Sequence, residues 1–251
     1  VGVQHEGGIV SSISHHAALI ATTGVQLPIT SGLRLWLDAS QLGVPNATPI
    51  TSWPDASGNA VSTTVIGAPE SQTSAVNGKP GVAFSGASNR LRIDMSVGSD
   101  VAGTLLVVAR STVSGTATLN VGFAGNTPSP DDSWLTYLDG KIYDCNLVGV
   151  RASTTVSGGL TQTNPYVYVA AADATSRVVR FRGSVVISDS EPFRNPVGTV
   201  GYQTLGASNV NITDNRVQQI IAEVIYYGRL LDSAEIATME AYLTTKWSLT
   251  P

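Results

Sequence analysis

Leu105-Leu106-Val107-Val108-Ala109 runs apolar without a break. A short unbroken run of this kind reads as a strand covered on both faces, at the centre of a packed sheet. Working outward, similar runs alternate with turn clusters: Leu33 to Leu37, Val82 to Phe84, Leu119 to Phe123, Tyr166 to Ala170, Val178 to Ile187 and Ile220 to Tyr227. That spacing belongs to a sandwich or barrel. Asn77-Gly78 and Asp139-Gly140 supply turn residues that tolerate positive φ.

Read as a two-residue hairpin, the Asp139-Gly140 turn pairs Leu138 with Lys141. Alternation then puts Trp134, Thr136, Leu138, Lys141, Tyr143 and Cys145 on one face, with Leu135, Tyr137, Ile142 and Asp144 on the other. Both faces carry aromatics. A helix is expected to close the chain: Asp232 caps it, Glu235 completes a capping-box spacing, and Ile236, Met239, Leu243 and Trp247 recur at helical intervals. That apolar stripe should pack on the sandwich, in a mainly β protein with one short C-terminal α-helix.

With 251 residues, length alone allows one large all-β domain or two small ones. The strand pattern favours one domain over residues 31–251. Residues 1–30 read as an N-terminal arm for assembly or packing, holding all three histidines and little periodicity. Asp, Glu, Lys and Arg make up 13% of the chain, against about 25% in an average soluble domain. The surface must therefore rely on hydroxyls and amides. At net charge -4 and pI 5.3 no basic field exists to neutralise phosphates, so nucleic acid is not an expected partner. Cys145 is the single cysteine, which excludes an intrachain disulfide and a cysteine-based zinc cage. Ala17 to Ala21 is too short to span a bilayer, and no basic residue precedes it as in a signal peptide.

Several segments together resemble the concanavalin A-like, laminin-G-like jelly-roll superfamily, especially its bacterial and phage members. They are Leu33 to Ser40, Trp53-Pro54-Asp55-Ala56-Ser57-Gly58-Asn59, Asn77 to Gly86, Ile221 to Tyr227, the Leu231 to Glu235 helix start and Ala241 to Trp247. The match lies in their order and spacing, and residues 100–200 add little to it. The resemblance implies a two-sheet antiparallel jelly-roll sandwich, used elsewhere for sugar binding, adhesion and virion attachment. Fold alone does not fix function. Trp36, Trp53 and Phe84 also suit a core, and Asp55 to Asn59 suits a turn stabilised by side chains.

A glycosidase on this fold needs two carboxylates across the scissile bond. The glutamates form no alternating acidic array; Asp189 and Glu191 come closest, at a strand end or loop beside Pro192. Glu223, inside an apolar strand, reads either as a tuned acid or as a structural residue, with the structural role favoured. No Gly-x-Ser-x-Gly elbow is present, and every histidine lies in the arm, against a serine hydrolase. His15 and His16 lack a third metal ligand at useful spacing. No cofactor is expected except for calcium as a candidate, in loops holding Asn126, Asp131 and Asp132 or Asn209, Asn211, Asp214 and Asn215, which equally suit plain turns. Arg180 and Arg182 read as a solvated face.

Sugar binding needs a flat aromatic with amides and carboxylates for the hydroxyls. Trp134 is the leading candidate, with Tyr143, Asp131, Asp132 and Lys141 around it; a core tryptophan is the competing reading. Tyr166, Tyr168 and Tyr202 are weaker candidates. The expected protein is a non-enzymatic, lectin-like interaction module of a virion surface or extracellular assembly, either a decoration or fibre protein or a glycan-binding adhesin. Its partners would be a glycan or cell-surface ligand and, through the arm, neighbouring subunits, without membrane insertion. The alternative is a glycoside hydrolase or polysaccharide lyase on the same fold.

Overall fold

The structure, a computed structural model, describes residues 26–85, 89–95, 100–112, 120–124, 133–136, 141–144, 147, 152–155, 164–193, 203–206 and 218–250, with 120–124, 133–136, 143 and 218 as backbone alone. In chain order these form β1 (Leu33–Asp38), β2 (Thr48–Pro49), β3 (Ser62–Ile66), β4 (Glu70–Val76), β5 (Lys79–Ser85), β6 (Arg90–Asp94), β7 (Gly103–Ser111), β8 (Asn120–Ala124), β9 (Ser133–Thr136), β10 (Lys141–Asp144), β11 (Ala152–Thr155), β12 (Tyr166–Ala172), β13 (Arg177–Phe181), β14 (Ser184–Asp189), β15 (Gln203–Leu205), β16 (Gln218–Tyr227) and the helix α1 (Ser233–Lys246).

The strands make two antiparallel sheets. The larger runs β14-β13-β12-β7-β16-β5-β4-β2, with β1 also paired to β16; the smaller runs β11-β10-β9-β8-β15-β6-β3. As its unbroken apolar sequence requires, β7 lies centrally between β12 and β16. Leu105, Val107 and Ala109 face the core between the sheets, where Phe84, Ile93 and Leu205 also pack. Leu106 and Val108 face a second apolar layer beneath α1. All five residues of that run are fully buried. The molecule therefore has three layers, and α1 covers the outer face of the larger sheet.

The helix forms as its sequence dictates. Asp232 Oδ1 accepts from the Ala234 and Glu235 amides at 2.9 and 2.8 Å, and Glu235 accepts from the Asp232 amide at 3.0 Å, completing the capping box. Ile236, Met239, Leu243 and Trp247 are all buried. Each such side chain contributes about 1.5–3 kcal/mol relative to exposure. The C-terminal end is held by the β4–β5 turn, where Asn77 and Gly78 have φ of 49° and 80°. Asn77 Nδ2 donates to the carbonyls of Trp247 and Ser248 at 3.1 and 2.7 Å. Residues 26–30 of the arm lie on the same side: Leu27 is buried in the helix layer, and Tyr227 donates its hydroxyl to the Ile29 carbonyl at 2.8 Å.

β16 changes partner along its length. Residues 218–221 pair with β5, and 223–227 pair with β1 on the same edge. Opposite β7, Ile221 meets Ala109 and Glu223 meets Val108, so Ala222 is an extra residue. This bulge turns Glu223 toward the helix layer. With regular alternation it would point into the core between the sheets.

Two expectations are corrected here. Arg180 is not on a solvated face: it makes a two-pronged ion pair with Glu240 of α1, with contacts of 2.8–3.2 Å, and joins the helix to β13. The hairpin register also differs from the two-residue reading. Thr136 pairs with Ile142 and Leu135 with Tyr143, whereas the turn reading pairs Thr136 with Tyr143. An odd number of residues, 137–141, separates the paired positions, and a slip of one position exchanges faces. By alternation, position 134 falls in the set of Ile142 and Asp144, and positions 141 and 143 fall in the other.

Candidate functional site

The residues expected to bind a ligand are divided by this arrangement. Lys141 is exposed on β10, opposite Thr155 of the edge strand β11, and Tyr143 stands opposite Ser153. Ser153 and Thr155 are exposed, whereas Ile142 and Asp144 are fully buried. Lys141, Ser153 and Thr155 thus mark the outer, hydroxyl-bearing face of the smaller sheet, and Tyr143 occupies a register position in that same row. Trp134 lies on β9, where only its backbone is described. Asp131, Asp132, Asn126, Tyr202, Asn209, Asn211, Asp214 and Asn215 lie outside the described residues. Tyr166 and Tyr168 are buried: Tyr166 packs on Phe181 with ring centroids 4.9 Å apart, and Tyr168 donates its hydroxyl to Asp144. Neither offers a ring to solvent.

The Asp189 carboxylate is engaged by an arginine. Asp189 ends β14 and binds the buried Arg177 through two oxygens, with Nε at 3.1 Å, and also accepts from the Glu191 amide at 3.3 Å. Burial works against the charged form of Asp189, but the Arg177 hydrogen bonds outweigh it and hold the carboxyl below its ordinary value. Arg177 Nη1 reaches across the core to Asp144 of β10, at 3.1 Å from its carbonyl and 3.5 Å from Oδ2. The arginine is a strut between the two sheets. Among the described residues, no group of three or more His, Cys, Asp or Glu side chains could hold a metal ion.

A denser polar cluster joins β1, β16 and α1; of its charged members, sequence reading singled out only Glu223, with Trp36 and Trp247 expected as core residues. The Glu223 carboxylate accepts from the indole of Trp36 at 2.7 Å and that of Trp247 at 2.5 Å. Lys246 Nζ lies 2.9 Å from Glu223 Oε2 and 2.8 Å from Asp38 Oδ2. The rings of Trp36, Tyr242 and Trp247 surround the ammonium at 5.3–5.5 Å. Asp38 Oδ1 accepts from the Ser40 amide at 2.9 Å and the Ser40 hydroxyl at 2.6 Å; Oδ2 accepts from Gln41 at 3.0 Å. Asp38 and Glu223 are paired positions on adjacent strands.

Burial raises the Glu223 pKa above its ordinary value despite the opposing pull of Lys246, and the Asp38 charge adds to the rise. Burial acts the same way on Asp38, but hydrogen bonds from Lys246 and Ser40 outweigh it and lower its pKa. For Lys246, burial disfavours the cation and the two carboxylates more than restore it. An acidic residue within an apolar strand was the sequence signal for this cluster. Lys246 gave none, because its partners lie far away in the chain.

Beside this cluster, a groove of about 330 Å³ is lined by Ser40, Gly43, Val44, Pro45, Ser71 and Thr73, among others. It combines hydroxyls with small apolar surfaces. No helix among the described residues is long and apolar enough to cross a membrane.

The two antiparallel sheets form a β-sandwich with one helix on its outer face. No protein-family model matches the sequence, and no curated protein sequence matches it. Solved structures do match. The receptor-binding domain of botulinum neurotoxin mosaic serotype C/D superposes with a TM-score of 0.59 at 12% identity, covering 85% of this chain and 51% of that one. The binding domain of botulinum neurotoxin DC in complex with SialylT gives 0.59 at 9% identity, covering 85% and 52%. Trypanosoma rangeli sialidase in complex with the inhibitor DANA gives 0.59 at 14% identity, covering 86% and 34%. This chain thus spans about half the length of the toxin domains and a third of the sialidase. At these identities the likeness is one of fold.

Proposed function

We propose that this chain is a non-enzymatic glycan-binding module with a concanavalin A-like jelly-roll fold, carried on a virion surface or another extracellular assembly. The observation that carries the reading is the fold likeness to toxin receptor-binding domains, one of them solved with SialylT. The extracellular or virion setting rests on the resemblance of the sequence segments to bacterial and phage members of that superfamily. The proposed ligand surface is the outer face of the smaller sheet at Lys141 and Tyr143, with Asp131 and Asp132 from the neighbouring segment; Trp134 is left out of it, because the register puts position 134 in the row of the buried Ile142 and Asp144. The arm, residues 1–30, is proposed to contact neighbouring subunits.

A glycan array of the purified chain, with Tyr143→Ala beside it, tests the binding site. Loss of at least about 5-fold in affinity in that variant is expected, because an aromatic platform contributes roughly 1–3 kcal/mol to ligands that stack on it. Unchanged binding in the variant discards the site, and no binding to any glycan discards the lectin reading in favour of a decoration role. The sialidase likeness favours a glycoside hydrolase as the second reading. Release of sugar from glycosides by the purified chain would establish that reading and end the first. The arm is tested separately: deletion of residues 1–25 should lower the oligomeric state measured by light scattering without changing the unfolding transition.

A further inference from the structure

Lys246, Asp38 and Glu223 form a closed reaction geometry in addition to an ion-pair cluster. The lysine nitrogen touches one oxygen of each acid, at 2.8 and 2.9 Å, and its side chain is 12% exposed while both acids are wholly buried. Three aromatic rings lie within 5.5 Å of the nitrogen. A buried pair needs only one carboxylate to balance one ammonium, so the second acid is in excess. We propose that Lys246 and Asp38 condense within the folded chain into an isopeptide bond between Lys246 Nζ and Asp38 Cγ, with Glu223 as the proton carrier.

The proton inventory balances without any co-reactant. The starting state holds the Lys246 ammonium between the Asp38 and Glu223 carboxylates, 2.8 and 2.9 Å from the nitrogen. Passing one proton from Lys246 to Asp38 gives a free amine and a carboxylic acid, with no change in total charge. The amine lone pair then attacks Cγ and forms the C–N bond. Negative charge collects on Asp38 Oδ1, already held by the amide and hydroxyl of Ser40, which act as preorganised donors. Glu223 takes a proton from the nitrogen and delivers it to the departing Asp38 oxygen as the C–O bond breaks, ending as the carboxylate it began as. A carboxylic acid and an amine become an amide and one water, with nothing oxidised or reduced.

The bond would clamp α1 to β1 across most of the chain, beside the turn that already holds the helix end. Intact mass spectrometry of the purified full chain tests it. The expected mass is one water below that of the sequence. Trypsin should leave Lys246 uncut and yield peptide 35–90 joined to peptide 230–251. Lys246→Arg and Glu223→Gln should restore the full mass and release 35–90, 230–246 and 247–251 as separate peptides. Wild-type protein at full sequence mass after prolonged incubation, with those peptides free, overturns the proposal. A link between other residues does the same, and Glu223→Gln linking as fast as wild type removes Glu223 from the reaction.

Discussion

At the scale of single residues, the cluster around Lys246 and the close approaches of two glycines determine what the chain tolerates. Lys246→Met removes the cation shared by two buried carboxylates. Breaking a buried pair from one side costs about 3–5 kcal/mol, because the remaining charge stays buried without compensation. Urea denaturation should show at least that loss; less than about 1 kcal/mol would mean that water already screens the cluster. Gly206 has φ +93°, and a Cβ there would stand 2.2 Å from Phe84 Cδ1, on a ring that is fully buried. Gly206→Ala therefore combines backbone strain with overpacking, about 2–4 kcal/mol together. Gly58 has a similar φ of +86° with open space where a Cβ would lie, so Gly58→Ala should lose only the strain, about 1–2 kcal/mol. Equal losses at the two positions would show that Phe84 moves aside.

At the scale of elements, α1 was legible before any coordinates because its determinants are local. The cap, the capping box and the apolar stripe all lie within a few residues of one another. Arg229 holds Glu235 through both oxygens at 2.6 and 2.7 Å, and this pair, with the Asp232 amide, lowers the Glu235 pKa to about 2. The folded carboxyl thus titrates below its ordinary value of 4.5, and the unfolded chain binds more protons between the two. The stabilisation is complete above about pH 4.5 and disappears as the pH falls toward 2. Glu235→Gln should lower the thermal midpoint at pH 7 and match wild type near pH 2; an undiminished difference at pH 2 would contradict the assignment. The β9–β10 register was not legible, since Asp139-Gly140 suits a two-residue turn but the pairing of Thr136 with Ile142 excludes one. The β13–β14 turn is the converse case: Arg182 and Gly183 adopt φ of 48° and 77° between the paired Phe181 and Ser184, in a segment whose apolar run masked the turn.

At the scale of the molecule, what the sequence hid is what joins distant elements. The unbroken apolar run from Leu105 to Ala109 predicted a strand buried on both faces, and that strand is so buried. Periodicity gave no sign that Lys246 meets Asp38, that Arg180 meets Glu240, or that Arg177 and Asp144 span the core, since opposite charges far apart in sequence carry no local pattern. The proposed ligand surface is only partly defined for the same kind of reason: alternation assigns a row of residues to a face but depends on a register that long-range pairing sets. Arg177 shows what such a connection contributes to the whole. It is 1% exposed, belongs to the larger sheet, and meets Asp144 of the smaller one, which also accepts the Tyr168 hydroxyl. Arg177→Met keeps much of the volume but takes the arginine's charge away from the buried Asp144, a loss of about 3–5 kcal/mol. Adding Asp144→Asn removes that stranded charge, so the double variant should recover at least 1 kcal/mol relative to Arg177→Met alone, a coupling measurable by a double-mutant cycle in urea. Strict additivity of the two substitutions would mean that the sheets are held together by apolar packing alone, with the arginine serving β14 through Asp189.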